Sequence, residues 1–318
     1  MIQIEAPRRL FQFGSLALLC LASTTTSTVA LSLQQQLDRR HFVVSAAAAA
    51  VNAQATLGLS SSSSSAALAM EPNGLASRLI QRDPNQLRNK VFNVPPAAQI
   101  FPPWMRGTWQ VESKFSGYLF PSKKISRDRL TQDFVIPGFQ KCSIAQTADV
   151  GKDQVNYLFK VDEQTGLEDR RHNFKSAIDA YLGYPAVNQV IYDARKNPNR
   201  ISIDFNDYRT VNAERIELFC NAREFEEYQG SDDGTPIFVH SEYAKQVTFG
   251  TGSTYGVPRQ VGTNYGLFWT YRRISENELT GNLLTAAYLD PQDALYFEEP
   301  VAPVVVYSNV FQAKRQTT

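Results

Sequence analysis

Histidine and cysteine are scarce in this sequence, with three of each among 318 residues. The spacings C-x-x-C and H-E-x-x-H are absent, which argues against a zinc site. The chain also lacks G-x-S-x-G and a P-loop, and its Gly-rich stretch 250–256 has no lysine and is interpreted as a hairpin loop. The sequence therefore offers no catalytic residue and no metal ligand to assign.

An excess of charge of either sign is also missing. The chain has 32 basic and 31 acidic residues, which gives a formal net charge of +1. Nucleic-acid-binding proteins and proteins held at membrane surfaces carry clustered positive charge, and this chain has no such footprint. We therefore expect neither nucleic acid nor a lipid surface as its partner.

Long hydrophobic runs are absent too, and the longest apolar stretch belongs to an N-terminal leader. Arg8 and Arg9 precede an apolar core over 10–22, and small residues follow it, with cleavage expected after Ala30 or Ser32. This order is that of an export signal. The core is short for a membrane span, so we expect no transmembrane segment in the mature protein.

A second signal follows the first within residues 1–69. Arg39 and Arg40 precede Phe42, a pattern typical of twin-arginine export signals. Cleavage is expected at Ala53-Gln54-Ala55 or at Ala67-Leu68-Ala69. Two signals in series predict delivery to the thylakoid lumen of a chloroplast, here in an alga whose plastid is reached through the secretory pathway. The alternative is one secretory signal followed by a low-complexity propeptide.

The rest of the chain is organised as an arm and one domain. Residues 70–100 are rich in proline and polar residues, with one short helix expected near 74–81, and are interpreted as an N-terminal arm. Residues 101–318 contain eight to ten segments in which apolar residues alternate with polar ones, as half-buried strands require. One segment, "FKSAIDAYLGY" at 174–184, has helical spacing instead. We therefore predict a mainly β, antiparallel barrel with one short helix.

A resemblance supports this fold. Gly107-Thr108-Trp109 opens the first predicted strand and resembles the G-x-W of lipocalins and other calycins, in which the tryptophan plugs the closed end of the barrel and an arginine stacks on it. The resemblance implies this role for Trp109, with Arg272 or Arg273 as the expected arginine and Arg315 as a rival.

Longer blocks resemble a plastid-targeted, lipocalin-like family of unknown function found in algae, plants and cyanobacteria. They are "FPPWMRGTWQV", "PGFQKCSIAQTADVG", "NAERIELFCNAR", "RQVGTNYGLFWTY" and "LLTAAYLDPQD". The resemblance covers residues 70–318 and supports the plastid address, but it brings no known activity.

Aromatic residues at strand spacing provide the candidate ligand site. An apolar ligand is expected to lie against an aromatic wall with one polar anchor, although the same residues can serve as ordinary core. The candidates are Trp109, Phe115, Tyr118, Arg259, Phe268, Trp269 and Tyr271. The cluster "EDRRHNF" at 168–174 is interpreted as an exposed loop, and the charges at 214–224 as a solvated strand face. Cys142 and Cys220 could form a disulfide or remain buried thiols.

Three functions follow from these features. The first is a non-enzymatic thylakoid-lumen protein that binds an apolar ligand, a pigment, lipid or quinone, with no cofactor beyond such a bound molecule. The second is an accessory or assembly factor for a photosynthetic complex, which would dock through the arm and the Pro-rich segment 298–305. The third is an enzyme on a calycin fold, which the absence of a matching acid pair disfavours.

Overall fold

The computed structural model describes residues 69–90, 96–132, 154–207, 213–231, 233–254 and 257–316, and of 131, 132, 251–254 and 257–259 it describes the backbone alone. These residues belong to one compact unit. The targeting residues Arg39, Arg40, Phe42 and Ala67 lie outside the described residues, and Ala69 is exposed.

The described residues form nine β-strands, as many as the alternation predicts. They are β1 (Gly107–Leu119), β2 (Val155–Val161), β3 (Val187–Asp193), β4 (Asn197–Phe205), β5 (Arg215–Gln229), β6 (Pro236–Thr254), β7 (Val257–Arg273), β8 (Glu278–Tyr288) and β9 (Val305–Arg315). The helices are α1 (Leu75–Ile80), α2 (Arg127–Gln132) and α3 (Arg170–Leu182), with 3-10 turns at Pro84–Gln86 and Pro103–Met105. The predicted helices are present as α1 and α3, while α2 was not expected.

All nine strands belong to one antiparallel sheet, in the order β2-β1-β9-β8-β7-β6-β5-β4-β3. From β3 to β9 each strand pairs with the next along the chain, and β1 and β2 extend the sheet beyond β9. The hairpin expected at 250–256 joins β6 to β7, where Thr254 pairs with Val257. The mainly β, antiparallel prediction is therefore confirmed.

The prediction of a closed barrel is not confirmed, because β2 and β3 are edge strands of an open sheet. The connection between them contains α3, and side chains of α3 bond to backbone groups of both edges. Ser176 Oγ accepts from Leu158 N at 2.9 Å, and Asn173 both accepts from Lys160 N and donates to Lys160 O. On the other edge, Arg171 donates to Tyr192 O. The helix thus satisfies backbone groups for which a closing strand would be the usual partner.

The sheet has two covered faces. On the inner face, so named here, β6 and β7 present His240, Glu242, Trp269 and Tyr271; on the outer face they present alternate residues such as Tyr243 and Phe268. Two apolar clusters fill the inner face, one around Trp109 and Phe311 and another around Ile203 and Tyr307. This division follows from the two-residue period of a strand.

The N-terminal arm packs against the outer face. Leu75, Ala76 and Leu87 join Tyr243, Phe268, Tyr288 and other residues in a third buried cluster. Glu226 of β5 accepts hydrogen bonds from Glu71 N at 2.7 Å and Ala76 N at 2.9 Å, and Tyr288 Oη donates to Leu87 O at 2.7 Å. The described part of the arm is therefore part of the folded domain. Within the described ranges, no helix combines the length and hydrophobicity that crossing a bilayer requires.

Candidate functional site

A cavity of about 100 Å³ lies on the inner face of the sheet, beneath α3. It is bounded by residues of both inner apolar clusters, and Trp269 packs against both. Its walls come from β1, β2, β6, β7, β8, β9, α3 and the segment before β1. The lining residues are Phe101, Val111, Ser113, Tyr157, Phe159, Glu168, Arg170, Asn173, Phe174, Ala177, His240, Glu242, Leu267, Trp269, Tyr271, Leu279, Leu283, Phe311 and Ala313.

Stacked rings form one wall of the cavity. The His240 imidazole lies parallel to the Trp269 ring, with centroids 4.4 Å apart and 11° between planes. It is also parallel to the Tyr271 ring at 5.8 Å, while Phe101 meets it edge-on at 5.3 Å. Because two rings lie parallel to the imidazole and a third meets it edge-on, these contacts constrain its plane.

His240 is the unusual polar residue of this wall. Its side chain is buried, and among the residues that the structure describes no group hydrogen bonds to either ring nitrogen. Burial lowers the pKa of His240 to about 3, with Arg170 and Arg223 adding to the effect and Glu242 opposing it. The imidazole is therefore neutral near pH 7 and offers one donor and one acceptor.

A buried ion cluster lies beside His240. Glu242 pairs with Arg170 and Arg223, and Arg170 Nε lies 3.2 Å from Glu168 Oε2. Burial alone would raise the pKa of Glu242, but the two arginines outweigh it and hold that pKa below its usual range. At Glu168 burial prevails over Arg170, and the pKa is raised. Each charge has an opposite partner, as buried charges require.

Helix α3 contributes Arg170 of the ion cluster and part of the apolar lining. Arg170, Asn173, Phe174 and Ala177 have the spacing of one helical face, which is the face toward the cavity. The helix begins at the N-cap Asp169, whose side chain accepts from His172 N at 3.2 Å. It ends at Gly183, which has a φ of 80°.

The ion cluster corrects two predictions. The segment 168–174 is not an exposed loop, since it forms the start of α3 and buries Arg170. The charges at 214–224 do not form one solvated face, because Glu217 and Arg223 are buried. A bulge between Cys220 and Ala222 explains Arg223, because it shifts the alternation by one residue and turns this side chain inward.

The structure brings together only part of the predicted aromatic wall. Trp269 and Tyr271 line the cavity. Phe268 lies between them on β7 and therefore faces the outer cluster, where its ring meets Tyr243 edge-on. Phe115 and Tyr118 stack on each other near the end of β1, away from the cavity lining. The side chain of Arg259 lies outside the described residues.

Trp109 packs as a buried core residue at the start of β1. It is fully buried, does not line the cavity, and donates from Nε1 to Met105 O at 2.8 Å. The arginine over its ring is Arg315, at 4.3 Å, and not Arg272 or Arg273. Arg272 instead pairs with Asp233. Gly107 has a φ of 104°, and a Cβ there would lie 2.7 Å from Arg315 Nη1, so the turn into β1 requires glycine.

The polar residues of the site have little signature in the sequence. His240 and Glu242 occupy a strand on which polar and apolar residues occur on both faces, so alternation does not distinguish them. The segment 168–174 marks Glu168 and Arg170 as charged residues but does not indicate that they are buried. Cys220 forms no disulfide with any residue that the structure describes, and burial raises the pKa of its thiol to about 12. Cys142, the other half of the expected disulfide, lies outside the described residues.

Comparison with known proteins identifies one family. The model of a family described as "Domain of unknown function (DUF6816)" matches residues 94–317. No curated protein and no solved structure matches the chain significantly. In the part of the chain that the structure describes, no group of three histidine, cysteine, aspartate or glutamate residues could hold a metal ion.

Proposed function

Because the chain belongs to the DUF6816 family, whose description names no activity, we propose its function from the cavity: the protein is a non-enzymatic carrier that binds an apolar small molecule on the inner face of the sheet. The observation that carries this proposal is the cavity, which combines mostly aromatic and aliphatic walls with a few buried polar groups at one side. Ligand sites in proteins have this composition.

The size of the cavity narrows the ligand classes. Its volume of about 100 Å³ is on the scale of the roughly 150 Å³ apolar cavity that accommodates benzene. A group the size of one ring fits such a space. Among pigments, lipids and quinones, this favours the ring of a quinone or one end of a longer molecule over the macrocycle of a pigment.

The lipocalin relation is part of the same proposal. The G-x-W turn, the stacked Arg315 and a ligand cavity on the inner face support a lipocalin-like barrel. In this barrel α3 would occupy the gap between β2 and β3 that strand pairing leaves open. We further propose the thylakoid lumen as its location, because of the two signals in residues 1–69. Replacing Arg39 and Arg40 with lysine should leave the protein outside the lumen in a plastid import assay.

The test of ligand binding is extraction of the full chain, purified gently from its native source, followed by mass spectrometry. We expect an apolar molecule in a fixed ratio to the protein. The variant Ala177→Phe fills the cavity from α3 and should abolish co-purification. Ala180→Phe adds the same ring to the same helix away from the cavity lining and should retain the ligand. Equal ligand content in both variants, or none in the native protein, would refute the proposal.

One observation favours a second candidate, an enzyme acting on the bound molecule. Glu168 and Glu242 both line the cavity, and their pKa values are shifted in opposite directions. Acid and base pairs in enzymes are often separated in this way. Here, however, Arg170 contacts both carboxylates. Chemical change of the extracted molecule by the native protein, lost in Glu168→Gln, would establish this candidate.

Stable co-purification with a membrane complex and no ligand would instead favour an assembly factor.

A further inference from the structure

His240 identifies the chemistry that the cavity recognises. A neutral imidazole must carry a proton on one of its two nitrogens. Neither nitrogen has a hydrogen-bonding partner among the described residues, and the side chain is 3% exposed. A buried N–H without an acceptor is rarer in proteins than an unused lone pair, and it costs more than a typical hydrogen bond contributes. The described residues therefore leave the N–H of His240 without an acceptor.

The neighbouring charges do not supply this acceptor. The Glu242 carboxylate is engaged by Arg170 and Arg223, and Glu168 is engaged by Arg170 and Asn173. The same pairing leaves neither Arg170 nor Arg223 without an anion. A ligand carboxylate would have to lose its hydration without meeting an unpaired cation, which is unfavourable in a buried site. The charge balance thus favours an uncharged ligand.

The fixed plane of the imidazole adds a geometric condition. Ring nitrogens hydrogen bond in the plane of the ring, and the parallel contacts of His240 with Trp269 and Tyr271 set that plane. An acceptor on a flat molecule can meet the N–H in this plane while the rest of the molecule lies against the aromatic walls. A carbonyl oxygen conjugated to a ring has this shape.

We propose that the cavity selects an uncharged, planar ring compound bearing a carbonyl group, whose oxygen accepts a hydrogen bond from the N–H of His240. The inference rests on the proposed function, since it specifies the ligand of the same cavity. It makes His240 the residue that determines specificity, while the apolar walls provide affinity without distinguishing a carbonyl from a methylene group.

Three small probes of nearly equal shape test the inference on the purified full chain by calorimetry and by NMR of the His240 ring. Acetophenone carries the carbonyl, α-methylstyrene replaces its oxygen with CH₂, and benzoate adds a negative charge. We expect acetophenone to bind about tenfold more tightly than α-methylstyrene, equivalent to about 1.4 kcal/mol, and more tightly than benzoate. Acetophenone should also shift the His240 ring signals.

The variant His240→Phe keeps an aromatic ring in the stack and removes the donor. It should bind the two neutral probes equally, while His172→Phe, outside the cavity lining, should keep the native preference. Should His240→Phe fail to fold, the native preference for acetophenone and the ring shifts still decide the matter.

The outcomes separate the two proposals. Equal binding of acetophenone and α-methylstyrene by the native protein would overturn carbonyl recognition but leave the apolar cavity as a binding site. Tighter binding of benzoate would overturn the uncharged class. Failure of all three probes to bind, together with no extractable ligand, would overturn the proposed function itself.

Discussion

Arg315 is the residue whose role is best defined by its contacts. Its guanidinium covers the Trp109 ring and donates to the backbone oxygens of Trp104, Arg106 and Glu276. These contacts join the end of β9 to the segment that enters β1. A lysine keeps the charge but not the planar fork that makes several bonds at once.

We therefore expect Arg315→Lys to lower the free energy of unfolding by about 2 kcal/mol, from lost hydrogen bonds and a weakened ring contact. Arg272→Lys is the matched control, because Arg272 is exposed and pairs with Asp233 at the surface. Arg272→Lys should lower the free energy of unfolding by less than about 1 kcal/mol. Urea unfolding measures both. If Arg272→Lys lowered the free energy of unfolding more than Arg315→Lys, Arg272 would be the arginine that stacks on Trp109, as the sequence predicts.

His240 predicts a pH dependence of stability. Burial lowers its pKa to about 3 in the folded state, whereas the unfolded chain titrates near 6.5. Between these values the unfolded state binds the extra proton, so stability is lost as pH falls below 6.5, by about 1.4 kcal/mol per pH unit. Stability falls because the buried His240 imidazole must stay neutral, whereas the imidazole of the unfolded chain is free to bind a proton.

Comparison with His240→Phe isolates this effect from the carboxylates that titrate in the same range. Between pH 6 and pH 4 the native protein should lose about 2 to 3 kcal/mol more than the variant. Chemical denaturation at several pH values measures the difference. Parallel curves for the two proteins would mean that His240 is protonated in the folded state or exposed to solvent.

At the scale of elements, α3 protects the edge of β2. Asn173 accepts from Lys160 N at 2.7 Å and donates to Lys160 O at 3.1 Å, so its amide takes the place of a neighbouring strand. It also donates to Glu168 Oε1 at 3.1 Å. Such side-chain pairing is local, so its loss should be visible at single amides.

We expect Asn173→Ala to destabilise the protein by about 2 kcal/mol, because buried groups lose their partners. Amide exchange at Lys160 should accelerate more than tenfold relative to Phe159, whose amide points toward β1 because alternate residues bond on opposite sides of a strand. Ser176→Ala should accelerate Leu158 instead. Uniform acceleration across β2 would indicate that α3 does not pair with this edge.

The elements also show how far the sequence predicts the fold. Alternation identified strands such as β4 and β7, and the spacing of Phe174, Ala177 and Ile178 identified α3, because both periods come from backbone geometry. Alternation failed after Cys220, where the bulge exchanges the two faces of β5. The inward position of Arg223 follows from that bulge, and no pattern in the sequence announces it.

At the scale of the whole molecule, the open sheet could not be distinguished from a closed barrel. A strand shows the same alternation whether or not the last strand of the sheet meets the first. The sheet stays open where polar side chains of α3 hydrogen bond to backbone groups of its edge strands, β2 and β3. These side chains are Arg171, Asn173 and Ser176. The cavity was likewise anticipated only through Trp269 and Tyr271, since its charged residues come from elements that are distant in sequence.

The arm shows how the outer face of the sheet is kept from solvent. Leu75, Ala76 and Leu87 cover Tyr243, Phe268 and Tyr288. Glu226 accepts hydrogen bonds from one backbone N–H before α1 and one in its first turn. An exposed cluster of this kind would favour association between chains. The arm is therefore expected to contribute to the stability of the domain, whatever partner it meets.

Two truncations test this role. A chain that begins at residue 91 should lose at least about 3 kcal/mol, because each buried leucine contributes about 1.5 to 3 kcal/mol, and it should bind an apolar dye and associate at higher concentration. A chain that begins at residue 70 keeps these contacts and should unfold at the same urea concentration as the full chain. Equal stability of the two truncated chains would show that the sheet does not need the arm, and would restore the arm as a free docking segment. Separation of the two unfolding midpoints would instead establish the arm as the cover of the outer face, anchored to Glu226 through Glu71 N and Ala76 N.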